Sequence, residues 1–126
     1  MVRGLRLLAI ILAFICLFAV VLRLEAMRDF YATQILVHNA DSVRRLIEEV
    51  KRGGESFSMV STIYVPDNGL ILLDNFSVKA LYKGFIVYNV KIRFKSLIGK
   101  IESGYHTVEV TKKGALDDLP LVILKR

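Results

Sequence analysis

A long apolar run dominates the N-terminal part of the chain. From Leu7 to Leu22 the sequence reads LLAIILAFICLFAVVL, without a charged or strongly polar side chain. Extended to residues 5–24, the run includes only two charged residues, Arg6 and Arg23, which lie near its two ends. About twenty helical residues at ~1.5 Å each cover the ~30 Å hydrocarbon core of a bilayer, and terminal arginines can reach the headgroups. The pattern predicts a transmembrane helix over residues 5–24.

Helical spacing continues after this run, but with a single apolar stripe. Residues 25–52 contain no proline or glycine, and Gly53-Gly54 then predicts the helix end. Apolar residues recur about every 3.5 positions, which is typical of a helix that buries one face. We therefore expect an amphipathic helix over residues 25–54 that continues the membrane span. Residues 39–42 are where a kink is most expected, because their side chains compete for backbone hydrogen bonds. The predicted stripe comprises Ala26, Phe30, Val37, Ala40, Val43, Ile47 and Val50.

The remaining sequence alternates with the period of a β-strand. Turn residues such as Pro66-Asp67-Asn68-Gly69 separate the short apolar segments, which is typical of antiparallel strands. The segment 119–124 (LPLVIL) is apolar on both faces, so it is either a buried central strand or a contact surface; Pro120 argues against a fully paired centre. Six strands are predicted, over residues 57–65, 70–73, 76–83, 85–95, 105–112 and 121–124.

These patterns together predict an α+β fold. A long N-terminal helix, half membrane-spanning and half amphipathic, packs on a small antiparallel β-sheet or sandwich domain formed by residues 55–126. That domain alone is marginal for independent folding. We therefore expect the helix stripe to cover one open face of the sheet.

Flanking charge predicts the orientation. The chain has a net charge of +6, and its start carries Arg3, Arg6 and the free amine, whereas the charges just after the span sum to zero. The positive-inside rule then places residues 1–4 in the cytoplasm as a short leader and residues 55–126 outside the cell membrane. A cleaved secretory signal is the alternative, although the exit segment VVLRLEAM offers a poor cleavage site.

No constellation of residues predicts catalysis. The only cysteine lies in the apolar run, and the two histidines, His38 and His106, are far apart and lack partners at metal-ligand spacing. Gly53-Gly54 precedes a strand rather than a helix, so it does not form a phosphate loop. We therefore expect a protein that is not an enzyme and uses no cofactor or metal, no nucleic acid and no small-molecule substrate.

Two weaker signals lie in the predicted β domain. Lys91, Arg93 and Lys95 alternate along the predicted strand 85–95. We expect the opposite, apolar face to lie inward; it comprises Ile86, Tyr88, Val90, Ile92 and Phe94. The three basic residues predict either a stripe that binds an anionic partner or, as the pattern favours, the water-facing side of a strand. Asn75-Phe76-Ser77 is a glycosylation sequon in a predicted exposed turn, so Asn75 is a candidate glycan site.

The arrangement resembles type IV pilins, and most closely archaeal pilin-like proteins with a class III signal peptide. The resemblance covers nearly the whole chain as a pattern of one apolar-then-amphipathic helix followed by a small β domain. Its features are Arg3-Gly4 before the apolar run, the helix end at Gly53-Gly54, Tyr64-Val65-Pro66 closing the first strand and Ser103-Gly104-Tyr105 opening a late one.

The resemblance implies a subunit of a cell-surface filament. A peptidase would cleave after Gly4, leaving Leu5 as the new N-terminus, and residues 5–50 would then pack against copies of the chain or other pilin-like subunits. Arg6 departs from the family pattern, which prefers a small or apolar residue at the second mature position. We therefore keep an alternative in which the chain is a single-pass, membrane-anchored binding or accessory protein that forms no filament.

Overall fold

The computed structural model describes residues 2–53, 58–112 and 119–125. One α-helix, α1, runs from Val2 to Arg52. The described residues after it form eight strands: β1 (Ser58–Val65), β2 (Gly69–Leu73), β3 (Ser77–Tyr82), β4 (Phe85–Lys91), β5 (Lys95–Ser96), β6 (Lys100–Ile101), β7 (Gly104–Thr111) and β8 (Leu121–Lys125). The predicted α+β fold is confirmed.

The strands form two four-stranded sheets. The first has the order β1-β7-β8-β5 and the second the order β4-β3-β2-β6. Neighbouring strands are antiparallel except for β5 and β8, which are parallel. Because β8 lies between β7 and β5 and Val122 is fully buried, the apolar C-terminal segment is an inner strand. Pro120 precedes the paired residues, so its missing N–H costs no ladder bond.

The chain divides into two compact units. The helical unit comprises Met1–Tyr31, and the α+β unit comprises Ala32–Arg126. In the α+β unit, the C-terminal part of α1 and both sheets share one hydrophobic core. Of the eighteen buried apolar residues described, six come from α1: Leu36, Ala40, Val43, Leu46, Ile47 and Val50.

The predicted stripe is correct in its C-terminal part and wrong in its N-terminal part. Ala40, Val43, Ile47 and Val50 are buried, as expected, and Leu36 and Leu46 extend the buried face. Ala26 and Phe30 belong to the helical unit instead, and Phe30 is 59% exposed. Helical spacing specifies which residues share a face, but the position of the sheets decides how far along the helix that face is buried.

The polar segment at residues 39–42 does not break the helix. Asn39 Nδ2 donates to the carbonyl of Ile35 at 2.8 Å, and Ser42 Oγ donates to the carbonyl of His38 at 2.9 Å. Asn39 also uses its other amide atom, because Oδ1 accepts a 3.0 Å hydrogen bond from the N–H of Tyr64 in β1. Strand β1 is a sheet edge, so Asn39 satisfies a backbone donor that has no neighbouring strand on that side.

The predicted strand 85–95 is the largest error in the β domain. β4 ends at Lys91, and its pairing with β3 shifts register between Ala80 and Leu81. Such an irregularity reverses the alternation of faces. Ile86, which the alternation predicted to lie inward, is consequently 60% exposed. Phe94 is buried as expected, but in the segment between β4 and β5.

Candidate functional site

The helical unit carries the strongest chemical signature of the chain. α1 is long and apolar enough to cross a membrane, and none of its most apolar eighteen-residue segment is buried. The exposed side chains point in all directions, since a helix advances ~100° per residue. A helix that is apolar all round is stable in lipid or in a bundle of similar helices, and not in water. Exposed residues spread around its circumference include Leu12, Phe14, Ile15, Leu17 and Val20.

The predicted leader cleavage site lies in the first turns of α1. Gly4 is helical, and a methyl group placed on it would meet no described atom within 4 Å apart from its adjacent residues and the local helix backbone. Leu5, the predicted new N-terminal residue, is exposed. Further along the same unit, a shallow apolar groove of about 280 Å³ is lined by Ala13 and its neighbours Ile10, Phe14 and Leu17. A small residue there lets another helix approach closely.

A polar network joins α1 to the second sheet in the α+β unit. Asp41 Oδ1 accepts hydrogen bonds from Arg44 Nε at 2.8 Å and from the Tyr88 hydroxyl at 2.9 Å. Its other oxygen lies 2.9 Å from Arg45 Nε, and Arg44 also reaches Glu48 at 2.8 Å. Arg44 and Arg45 are local partners, three and four residues after Asp41 on the same helix, whereas Tyr88 joins them only in the folded unit.

This network shifts the acid–base equilibria of its members. The Arg44 hydrogen bond, assisted by that of Tyr88, lowers the pKa of Asp41 against the opposing effect of burial. Burial and the hydrogen bond to Asp41 raise the pKa of the Tyr88 hydroxyl, although Arg44 acts in the other direction. The hydrogen bond to Asp41 raises the pKa of Arg44. Each of these side chains has a protein partner, so the network holds the helix on the second sheet.

The three basic residues of the predicted stripe do not share one strand face. Lys91 ends β4, Arg93 lies between β4 and β5, and Lys95 begins β5 in the other sheet. The prediction of a single strand face was wrong because β4 stops four residues early. The backbone changes sheets here: the N–H of Phe94 donates to the carbonyl of Asn75, and that of Lys95 to the carbonyl of Pro120.

Two of these residues line a shallow cleft that we call the basic cleft. Its volume is about 180 Å³. It combines two cationic side chains with an exposed aromatic ring, a pairing suited to a small anionic group that carries an apolar or ring surface. Lys91 lies outside it. The lining residues are Asn75, Phe76, Arg93, Phe94, Lys95 and Leu119.

The turn before β3 positions one wall of the basic cleft. Asp74 Oδ1 accepts hydrogen bonds from the N–H groups of Phe76 at 3.1 Å and Ser77 at 2.6 Å, and the Ser77 hydroxyl donates to the same carboxylate. Burial opposes ionisation of Asp74, but these hydrogen bonds outweigh it and lower its pKa. Asn75 adopts a left-handed φ of 71°, and its Oδ1 accepts the Ser96 N–H at 2.9 Å.

This geometry places the sequon inside a structured turn. Asn75 is exposed, while Ser77 is 5% exposed and its hydroxyl is held by Asp74. Glycosylation of Asn75 stays a prediction of the sequence. The cleft itself was missed, because its two halves are separated along the chain and meet through the unanticipated crossover between β4 and β5. In the sequence, the only indications of this cleft were Phe76 and the basic residues Arg93 and Lys95.

Among the described residues, no group of three or more histidine, cysteine, aspartate and glutamate side chains could hold a metal ion. His106 Nε2 instead contacts the carbonyl of Glu102 at 2.8 Å, and Cys16 is exposed on the apolar helix. Comparisons with protein-family models, curated protein sequences and solved structures gave no match.

Proposed function

We propose that the protein is a pilin-like structural subunit, anchored in the cell membrane by its helical unit and assembled into a surface filament through that same helix. The observation that carries the proposal is the exposed, all-round apolar surface of α1 over its first turns. Such a surface needs lipid before assembly and similar helices after it. The groove around Ala13 supplies a place for a second helix to pack.

The α+β unit supports a structural role in a second way. Its core takes six buried residues from α1, and the apolar segment is an earlier part of that same helix. In a filament built on this helix, each subunit would carry its α+β unit as the water-facing part. The charge pattern of residues 1–24 favours an N-terminus in the cytoplasm and an α+β unit outside.

The first test is intact mass and N-terminal sequencing of the protein from native membranes and from material sheared off the cell surface. A chain that begins at Leu5 and is enriched in the sheared fraction is the expected result. A chain that begins at Met1 or Val2 and stays in the membrane would overturn the processed filament subunit. A start beyond residue 24 would identify a cleaved signal and remove the anchor altogether.

A second test addresses self-association in the bilayer. Ala13→Phe fills the groove around Ala13 and is expected to weaken association of the full chain in detergent or lipid, measured by energy transfer between labelled copies. Ala19→Phe adds the same ring to the same helix outside that groove and serves as the matched control. Equal loss in both variants, or in neither, would contradict packing through the groove.

The basic cleft favours a second candidate function, that of a membrane-anchored binding protein that forms no filament. Binding of an acidic polysaccharide by the full chain in nanodiscs tests it, with polygalacturonate as the probe. Arg93→Ala is expected to weaken binding and to reduce its salt dependence, because Arg93 lines the cleft. Lys91→Ala removes an equal charge outside the cleft and is expected to change binding less.

A further inference from the structure

One end of the α+β unit is defined by its contacts with the first turns of α1 in that unit. Asn39 Oδ1 accepts the N–H of Tyr64 at 3.0 Å, and Tyr64 pairs with Tyr105 across the first sheet. A methyl group on Gly69 would lie 3.4 Å from Leu36 Cδ1. We call this end of the unit the proximal end, because α1 enters the unit there.

The turn between β3 and β4 belongs to the same end. Gly69 pairs with Tyr82, and Tyr82 pairs with Phe85. The N–H of Lys83 donates to the carbonyl of Asn68 at 3.0 Å, so the two turns are bonded to each other. The opposite end of the unit is marked by Lys112 Nζ, which lies 3.4 Å from the carbonyl of Gly53 at the end of α1.

Large apolar and aromatic side chains project into solvent at the proximal end. Phe85 is 76% exposed, Ile86 is 60% exposed and Tyr105 is 78% exposed. Tyr105 leans on Tyr64 with ring centroids 4.7 Å apart, and the Lys83 ammonium lies 5.6 Å from the centre of the Tyr82 ring. Exposed aromatic rings with a hydroxyl or a lysine nearby are the composition of a membrane–water interface, where the rings sit at headgroup level.

We propose that the proximal end of the α+β unit rests on the bilayer, with Phe85, Ile86 and Tyr105 inserted among the lipid headgroups. The inference rests on membrane anchoring by the helical unit and deepens it. Only seven residues, 25–31, separate the end of the apolar run at Leu24 from Ala32. These seven residues lie within α1 and rise about 10 Å in total at ~1.5 Å each. A connection this short keeps the proximal end near the lipid surface, so even a small apolar contact is populated.

The occupant is lipid rather than a second copy because of where these residues lie. They sit near turns and strand ends, at the end of the unit that Leu36 and Asn39 contact. The other exposed aromatic ring of the second sheet, that of Phe76, precedes β3, whereas Phe85 pairs with the last residue of β3. The two rings are therefore separated by the length of a six-residue strand, roughly 20 Å. Phe76 thus provides a matched control beside the opposite end of β3.

The test uses the absence of tryptophan from the chain. Phe85→Trp and Phe76→Trp each introduce a single fluorophore at a well-exposed site, and the full-length variants are reconstituted into phosphatidylcholine vesicles at a low protein-to-lipid ratio. Flotation of the vesicles first establishes that each variant is membrane-bound. Quenching by lipids brominated close to the headgroup is then measured for both.

The expected result is that Trp fluorescence in Phe85→Trp is blue-shifted and quenched at least about twofold more strongly than in Phe76→Trp. Equal quenching of the two variants in floated vesicles would overturn the proposal while leaving the anchor intact. A blue shift in Phe85→Trp that grows with the protein-to-lipid ratio, without bromine quenching, would overturn it in favour of contact between copies. Failure of both variants to float would instead contradict the anchor itself.

Discussion

The two parts of α1 have the same secondary structure and opposite surroundings. In the helical unit, apolar side chains cover every side of the helix and remain exposed. In the α+β unit, the same helix buries one stripe, from Leu36 to Val50, and places Asp41, Arg44 and Glu48 outside it. Helix formation therefore says little about environment. The width of the apolar stripe indicates the environment, because it determines whether the partner must be lipid, other helices or a sheet.

The comparison predicts that each part of α1 fails in its own way when changed. A substitution in the helical unit should alter membrane attachment without unfolding the sheets. A substitution in the buried stripe should unfold the α+β unit without releasing the chain from the membrane. The variants below test that separation.

The largest effect is expected from two charges in the apolar run. Leu12→Arg combined with Ile15→Arg costs about 3 kcal/mol for each arginine placed near the centre of a membrane helix. We expect the variant to be extracted from membranes by alkaline carbonate, while the chain with alanine at both positions stays in the pellet. Retention of the double arginine variant in the pellet would contradict a transmembrane segment here.

A smaller effect, of the opposite kind, is expected in the stripe. Ile47 is fully buried, so Ile47→Ala should lower the free energy of unfolding of the α+β unit by about 3 kcal/mol. The measurement is denaturant unfolding in detergent, followed by tyrosine near-ultraviolet circular dichroism. Ile11→Ala removes the same atoms from the helical unit and should leave that transition unchanged. A similar loss in both variants would contradict the separation of the two environments.

The network at Asp41 should contribute about 1 kcal/mol, because the groups are partly exposed and screened by solvent. The pKa of Asp41 is lower in the folded unit than in the unfolded chain, so its contribution is present above about pH 4 and is lost as the pH falls through the folded pKa. Thermal unfolding of the wild-type chain and of Asp41→Asn should therefore differ at pH 7 and converge toward pH 3. A difference that is constant with pH would show that the carboxylate charge is not involved.

The smallest effect is expected at Asn39. Asn39→Ala removes the acceptor for the Tyr64 N–H and costs about 1 kcal/mol, partly offset by the higher helix propensity of alanine. Hydrogen exchange is the sharper measurement, since the Tyr64 amide should lose protection while amides within the β7–β8 pairing keep theirs. Unchanged exchange at the Tyr64 amide would contradict its protection by the hydrogen bond to Asn39.

Much of this fold was visible in the sequence because the signals were long and periodic. The helix end near Gly53, the six longer strands and the buried positions Ala40, Val43, Ile47 and Val50 follow from spacing alone. Two features did not. The stripe is buried only from Leu36 onward, so Phe30 is exposed. The predicted strand 85–95 ends at Lys91. The first depends on where the sheets lie along the helix, and the second on the crossing of the chain from one sheet to the other. No local pattern records either.

The candidate sites show the same limit. The apolar run was identified at once, because composition alone specifies it. The basic cleft needed the turn at Asn75 and the crossover at Arg93 to meet, and their pairing is set by long-range backbone hydrogen bonds such as that from Phe94 to Asn75. At the proximal end, the exposure of Ile86 likewise depends on the register shift between β3 and β4, which the alternation along the strand does not record.

The contribution of α1 to the core also determines how the protein could be shed from a cell. A protease that cuts within residues 25–31 would release a body that keeps all eighteen of the buried apolar residues described, since the first of them is Leu36. A cut just after Arg52 would instead leave six of them, one third of that core, behind on the membrane stump. Residues 25–31 therefore contribute none of that described buried core, whereas the helix from Leu36 to Val50 contributes one third of it.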